Sequence, residues 1–146
     1  MEVKFQWKGG MKFEAMPPSG HTLILDASPA SGGTDQGPRP MELVLAALGG
    51  CTAMDVVAIL NKMKHPLEGF SIKVEAERAR EHPRVYTRVH ITYRFTGKNL
   101  DREKIEKAVR LSQEKYCSVS EMLRKTAELT YSIELGESLE PEFLGA

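Results

Sequence analysis

Between Pro40 and Met63 nearly every residue is apolar, whichever face of a helix it would occupy. A helix of that kind must be covered on every side or cross a bilayer. Its longest charge-free run, Leu43 to Met54, is bracketed by Glu42 and Asp55 and falls short of the roughly 20 residues a bilayer needs. The stretch therefore reads as a central core helix over about Pro40 to Lys64. Proline suits a first helical position, and His65-Pro66 ends the pattern. Gly49-Gly50 and Cys51 stand in its middle. Whether that thiol serves chemistry or packing is the question the rest of the chain must answer.

The elements around it can be read from periodicity. Val3, Phe5 and Trp7 alternate with Glu2, Lys4, Gln6 and Lys8, a strand pattern. Gly9-Gly10 reads as a two-residue hairpin turn, Met11–Met16 as the returning strand, and His21–Ala27 as a third strand after the break at Pro17-Pro18. Residues 28 to 40 form a loop with Gly32, Gly33, Gly37, Pro38 and Pro40. Structureless loops of that length are uncommon and often functional or interfacial. Ser71–Arg80 and Tyr86–Thr96 alternate as a long hairpin about Glu81-His82-Pro83-Arg84. Asn99 or Asp101 can cap a helix whose apolar positions are Ile105, Ala108, Val109, Ser112 and Tyr116. Ser118 and Glu121 have the spacing of a capping box for a short third helix. Ala127–Leu135 alternates as a last strand, and the tail ends with Phe143-Leu144.

The expected order is βββ–α–ββ–α–α–β, an α+β fold in one domain over residues 1–146, with two antiparallel sheets about the long helix. One protomer has little with which to cover such a helix. A homodimer in which two of them pack together would complete the burial. The Gly49-Gly50 pair fits that expectation, since each Gly costs about 1 kcal/mol in a helix interior and close backbone approach is the usual return.

Composition removes several function classes. Lys and Arg number 20 and Asp and Glu 20, a balance that makes no electrostatic case for nucleic acid or an anionic membrane surface. No basic segment followed by an apolar one opens the chain, so a cytoplasmic protein is expected. In that compartment two Cys read as thiols rather than a permanent disulfide framework. The four His are scattered, no metal-ligand spacing occurs, and Ser31-Gly32-Gly33-Thr34 lacks the Lys of a phosphate loop. No metal and no cofactor are expected. The arginines of the long hairpin interleave with Glu75, Glu77 and Glu81 and read as surface ion pairs.

Cys51 and Cys117 are the candidates for chemistry. A free Cys is by default a small buried hydrophobe. Cys117, however, adjoins a helix start, where free N–H groups favour a thiolate. A thiolate also needs a cation nearby, and Arg39 begins the central helix. The twelve residues from Arg39 to Cys51 would rise about 18 Å as a helix, too far for contact within one chain. An antiparallel partner helix could bring its Arg39 to Cys51. Glu42 either orients that Arg or complements the helix dipole. Asp55 lies on the face of Cys51, four residues on.

The stretch Pro40-Met41-Glu42-Leu43-Val44-Leu45-Ala46-Ala47-Leu48-Gly49-Gly50-Cys51-Thr52-Ala53-Met54-Asp55-Val56-Val57 resembles the central helix of the OsmC/Ohr family. Glu114-Lys115-Tyr116-Cys117-Ser118-Val119-Ser120 resembles its second Cys motif, and the Leu-Gly-Gly-Cys-Thr form is that of the YhfA-like branch. The resemblance implies an OsmC-like fold, an intertwined homodimer, and active sites at the subunit interface. It implies reduction of organic hydroperoxides, with Cys51 peroxidatic, Cys117 resolving, and a dithiol reductant. Three features depart from the peroxidase branches. Met41 stands where they carry Glu, with Glu42 one residue later. The cations before Arg39 are Lys4, Lys8 and Lys12 where those branches have an Arg. Ser118 stands where a Pro often follows the second Cys. Two readings follow: a thiol peroxidase, or a non-catalytic dimer of this fold that binds a small apolar ligand or senses redox state.

Overall fold

The computed structural model describes residues 1–137. The Phe143-Leu144 tail lies outside them. The chain divides into two compact units, Met1–Ala46 and Ala47–Ala146.

The first unit holds a three-stranded antiparallel sheet, β1 (Lys4–Trp7), β2 (Phe13–Met16) and β3 (Leu23–Leu25), in that order. The β1–β2 turn is wider than two residues. Lys8 N–H donates to Lys12 C=O at 2.8 Å and Lys12 N–H to Gly9 C=O at 3.0 Å, so Gly9, Gly10 and Met11 form the loop. Gly9 and Gly10 both take positive φ, 95° and 57°, which only glycine does freely. The Trp7 indole N–H closes the turn on Gly10 C=O at 2.8 Å.

The Gly- and Pro-rich loop is organised about one buried carboxylate. Asp26 accepts from Ala27 N–H at 2.7 Å, from the Thr34 hydroxyl at 2.9 Å and amide at 3.3 Å, and from Gln36 N–H at 3.2 Å. A short 3-10 turn, Pro29–Ser31, lies between these donors. A Cβ on Gly33 would strike the Ala27 carbonyl, so the loop can close only with glycine there. Burial by itself would raise the Asp26 carboxyl, but these donors outweigh it and hold its pKa below the ordinary range. The contribution to folding is therefore present above the unfolded carboxyl's pKa, near 3.9, and is lost as pH falls through the lower folded value. Asp26→Asn is expected to lower the melting temperature at neutral pH, and the gap from wild type should close in acid. A gap that persists or widens below about pH 3 would contradict this.

The long helix α1 (Pro40–Lys62) starts in the first unit and continues into the second. Its 23 residues are long and apolar enough, by length and composition, to cross a membrane. That is longer than the charge-free core alone, because Glu42 and Asp55 fall within it. One face is a core face: Leu48, Thr52, Val56 and Leu60, spaced four apart, are fully buried. Gly49 lies against Val74 and Ile72 of the sheet below, where a Cβ would sit 3.4 Å from Val74 Cγ2. Its close approach is thus to a strand of its own chain. Gly50 faces open space within the protomer.

The second unit contains β4 (Gly69–Arg78), β5 (Tyr86–Thr96) and β6 (Glu128–Gly136), in the order β4-β5-β6. The β4–β5 pair is the expected antiparallel hairpin. The β5–β6 pair is parallel, so this sheet is mixed where an antiparallel one was expected. The reason is the connection. Between β5 and β6 the chain runs through α2 (Arg102–Leu111), a π turn (Ser112–Tyr116) and α3 (Ser118–Leu123), a crossover that returns it in the same direction. Val89, Ile91, Tyr93 and Phe95 of β5 are buried, at about 1.5–3 kcal/mol for each large apolar side chain. Asp101 caps α2, accepting from Lys104 N–H at 3.2 Å. The two sheets and three helices are the α+β architecture expected from the pattern.

Candidate functional site

The site forms where the middle of α1 meets the π turn. A regular helix through Tyr116 would have kept Ser112 and Tyr116 on the apolar face. The wider π turn changes the phase: Ser112 and Gln113 point inward and are buried, while Tyr116 is half exposed. The turn also delivers Cys117 to the interior, with its amide donating to Ser112 C=O at 2.7 Å.

Cys117 then caps α3 itself. The helix begins at Ser118, so the expected Ser118–Glu121 capping box does not form. The Cys117 sulfur takes the cap role, accepting from Ser120 N–H at 3.4 Å. Sulfur in a cap position is a weak acceptor, and burial decides its ionisation. Cys117 is 3% exposed. Burial first, and then the neighbouring Cys51, push its pKa up, while the Ser120 hydroxyl and amide oppose them. The helix start was expected to favour the thiolate, but loss of water outweighs it.

Cys51, half-buried on α1, stands beside it. The two sulfurs and a carboxylate oxygen of Asp55 all lie within 4.8 Å of one another. Both cysteines are free thiols, and bonding would require the sulfurs to close to about 2.05 Å. Three soft and hard donors at such spacing are also a set that could hold a metal ion. The two cysteines that the sequence singles out, 66 positions apart, are thus brought together, and Asp55 joins them.

Beneath this trio runs a chain of hydrogen bonds that sequence reading did not find. Ser112 donates its hydroxyl proton to Asp55 Oδ2 at 2.9 Å. Having only one proton, Ser112 must accept from Thr52, 2.7 Å away. Thr52 in turn must accept from the Tyr93 hydroxyl, 2.6 Å away. Gln113 Nε2 donates to Tyr93 at 2.7 Å and to Thr52 at 3.3 Å. Arg124 Nη2 donates to Gln113, to its backbone carbonyl at 2.9 Å and to Oε1 at 3.4 Å, which fixes which end of the amide points inward. The chain is therefore polarised in one sense, from a guanidinium through Gln113, Tyr93, Thr52 and Ser112 to a carboxylate. Burial pushes the Tyr93 hydroxyl up to about 12, against the lowering effect of Thr52 and Gln113, so it keeps its proton as a donor. Thr52 was the one available signal, a hydroxyl on the buried stripe of an apolar helix.

Two clefts of the second unit border the trio. One of about 460 Å³ is lined by Gln113, Tyr116, Cys117, Ser118 and Glu121 among others. The other, about 380 Å³, runs from Asp55 along Ala58 and Ile59 to Leu111 and Tyr116, with Lys62 and Lys107 among its walls.

Arg39 and Glu42 stand together in the first unit. Glu42 Oε1 accepts from Arg39 N–H at 2.8 Å, the backward half of a capping box at the start of α1. The Arg39 guanidinium donates to Asp35 Oδ1 at 2.5 Å and to Gly37 C=O at 3.0 Å, and its Nε lies 4.0 Å from Glu42. The bond to Asp35 comes first among the causes that raise the Arg39 pKa.

A half-buried and a buried cysteine with an aspartate, set between an apolar helix and a helical crossover, define a two-thiol α+β protein. Residues 33–132 match the OsmC-like protein family, and the chain belongs to it. Over 135 residues it is 40% identical to Protein YhfA of Escherichia coli strain K12, covering 92% of this chain and 98% of that protein. The fold is also that of a crystal structure of a hypothetical protein from Aquifex aeolicus VF5, at 29% identity and TM-score 0.77, covering 93% of this chain and 97% of that one. An organic hydroperoxide resistance protein, OsmC, from Legionella pneumophila shares the fold at TM-score 0.69 and 21% identity, over 91% of this chain and 95% of that one.

Proposed function

We propose that this protein reduces organic hydroperoxides with Cys51 and Cys117. Membership of the OsmC-like family supports a redox or stress-related role in the broad sense. The observation that carries the finer reading is the placement of two free thiols within 4.8 Å, one of them half-buried and the other enclosed. Cys51 is the more accessible sulfur and attacks the terminal peroxide oxygen. The O–O bond breaks, an alcohol leaves, and Cys51 becomes a sulfenic acid. Cys117 then attacks the Cys51 sulfur. A disulfide forms and water departs. A dithiol returns both cysteines to thiols by exchange.

This reading includes a homodimer acting in the cytoplasm. The dimer is supported by apolar surface that one protomer leaves uncovered: Met54 on α1 is 75% exposed and Trp7 on β1 63%, with Phe5 and Val57 also exposed. Gly50, open within the protomer, would admit a partner helix closely. The cation that Cys51 needs would be the partner's Arg39, held in place by Asp35 and Glu42.

Turnover of cumene hydroperoxide with a dithiol, followed by loss of peroxide, tests the proposal. Consumption proportional to protein, above the dithiol's own background, is expected. Consumption equal to background would overturn it.

A further inference from the structure

Resolution poses a proton problem for this site. Cys117 is enclosed and keeps its proton, so it is a poor nucleophile where it stands. The hydroxide that must leave a Cys51 sulfenic acid also needs a proton. Both demands arise beside one group, near enough for a proton to pass through one bridging water or a small side-chain movement. A carboxylate oxygen of Asp55 lies within 4.8 Å of both sulfurs. Asp55 is four residues after Cys51 on α1, so the helix itself keeps the two on one face. It is held from the other side by the Ser112 hydroxyl at 2.9 Å, at the end of the hydrogen-bond chain that starts at Arg124. In the first step a charged Asp55 beside Cys51 opposes the thiolate that must attack the peroxide. In the second, Cys51 is a neutral sulfenic acid and Asp55 can take the Cys117 proton without two anions standing together. Its position suits the second step and not the first.

We propose that Asp55 is the general acid–base group of disulfide formation. Its carboxylate takes the Cys117 S–H proton as the Cys117 sulfur attacks the Cys51 sulfur. The S–S bond forms and the S–O bond of the sulfenic acid breaks. The same proton passes from Asp55 to the leaving hydroxide, which departs as water. Asp55 ends as it began, and the step consumes nothing beyond the oxygen delivered by the hydroperoxide. Ser112, Thr52, Tyr93 and Gln113 are positioning residues that hold the carboxylate toward the sulfurs.

The inference rests on the peroxidase reading, and the experiment separates the two. A stoichiometric pulse of cumene hydroperoxide is given to the reduced protein without reductant. Dimedone trapping reports the sulfenic acid, and thiol loss with peptide mapping reports the disulfide. Asn can still accept from Ser112 but cannot serve as a base, so Asp55→Asn removes the proton chemistry and leaves the hydrogen bond. Expected for Asp55→Asn is sulfenic acid formation at the wild-type rate or faster, with disulfide formation slowed about 100-fold and dimedone adduct accumulating. Asp55→Glu, which keeps a carboxylate, should restore much of the disulfide rate lost in Asp55→Asn. A disulfide rate in Asp55→Asn equal to wild type, or equal losses in Asn and Glu variants that both fold, would overturn the assignment. Wild type that forms neither sulfenic acid nor disulfide would overturn the peroxidase reading, and this step with it.

Discussion

Cys51→Ser should abolish peroxide turnover, while Cys117→Ser should abolish turnover but keep one stoichiometric reaction. The asymmetry follows from the geometry. Cys51 is the half-buried cysteine of the pair, whereas Cys117 is 3% exposed. Serine is close to cysteine in size but is a far weaker nucleophile at neutral pH, so losing the attacking sulfur should cost at least about 1,000-fold. Without Cys117 the sulfenic acid still forms but has no thiol partner within 4.8 Å. It should persist, trappable by dimedone, until excess peroxide carries it to the sulfinic acid. Reversed phenotypes, with Cys51→Ser giving the single stoichiometric reaction, would exchange the two roles. Equal and undiminished turnover in both variants would place the chemistry elsewhere.

The largest stability effect is expected at Tyr93. Its ring is fully buried, meets Tyr131 edge-on at a centroid distance of 6.0 Å, and carries the hydroxyl between Thr52 and Gln113. Tyr93→Ala removes a fully buried ring from the middle strand of the β4-β5-β6 sheet and takes the nearest acceptor from the Gln113 amide. A loss of about 3–5 kcal/mol is expected from lost burial and the cavity together. Tyr93→Phe keeps the ring and removes only the hydroxyl. Gln113 Nε2 then loses its 2.7 Å acceptor and Thr52 the nearer of its two donors, leaving only the 3.3 Å bond between them, at about 1–3 kcal/mol. Denaturant unfolding of the two variants separates ring from hydroxyl. A Phe variant as stable as wild type would mean that the buried chain of hydroxyls contributes nothing to the fold.

What the sequence made legible is what short-range chemistry controls. The apolar run of α1, the alternation of β4 and β5, and the Asp101 cap each depend on residues a few positions apart, and each stands about where pattern places it. Non-local features were hidden. Nothing in Leu129, Tyr131, Ile133 and Leu135 distinguishes a strand paired parallel from one paired antiparallel, since the difference lies in where the crossover returns the chain. The π turn was hidden for another reason. Ser112, Gln113 and Tyr116 are all compatible with a regular helix, and only packing against α1 selects the wider turn that buries the two polar residues. Asp55 illustrates the same limit. On sequence it is only a carboxylate on the helix face of Cys51. Placed within 4.8 Å of both sulfurs and tied to Ser112, it gains a role in the second step. The glycine pair divides likewise: Gly49 serves Val74 in its own chain, while only Gly50 is left open for a partner.

Intact mass and peptide mapping after one equivalent of cumene hydroperoxide, with no reductant present, test the central claim most directly. The account predicts a protein lighter by two hydrogens, with a Cys51–Cys117 cross-linked peptide that a dithiol cleaves. A mass that stays unchanged, or that gains oxygen with no cross-link between these two residues, would contradict it.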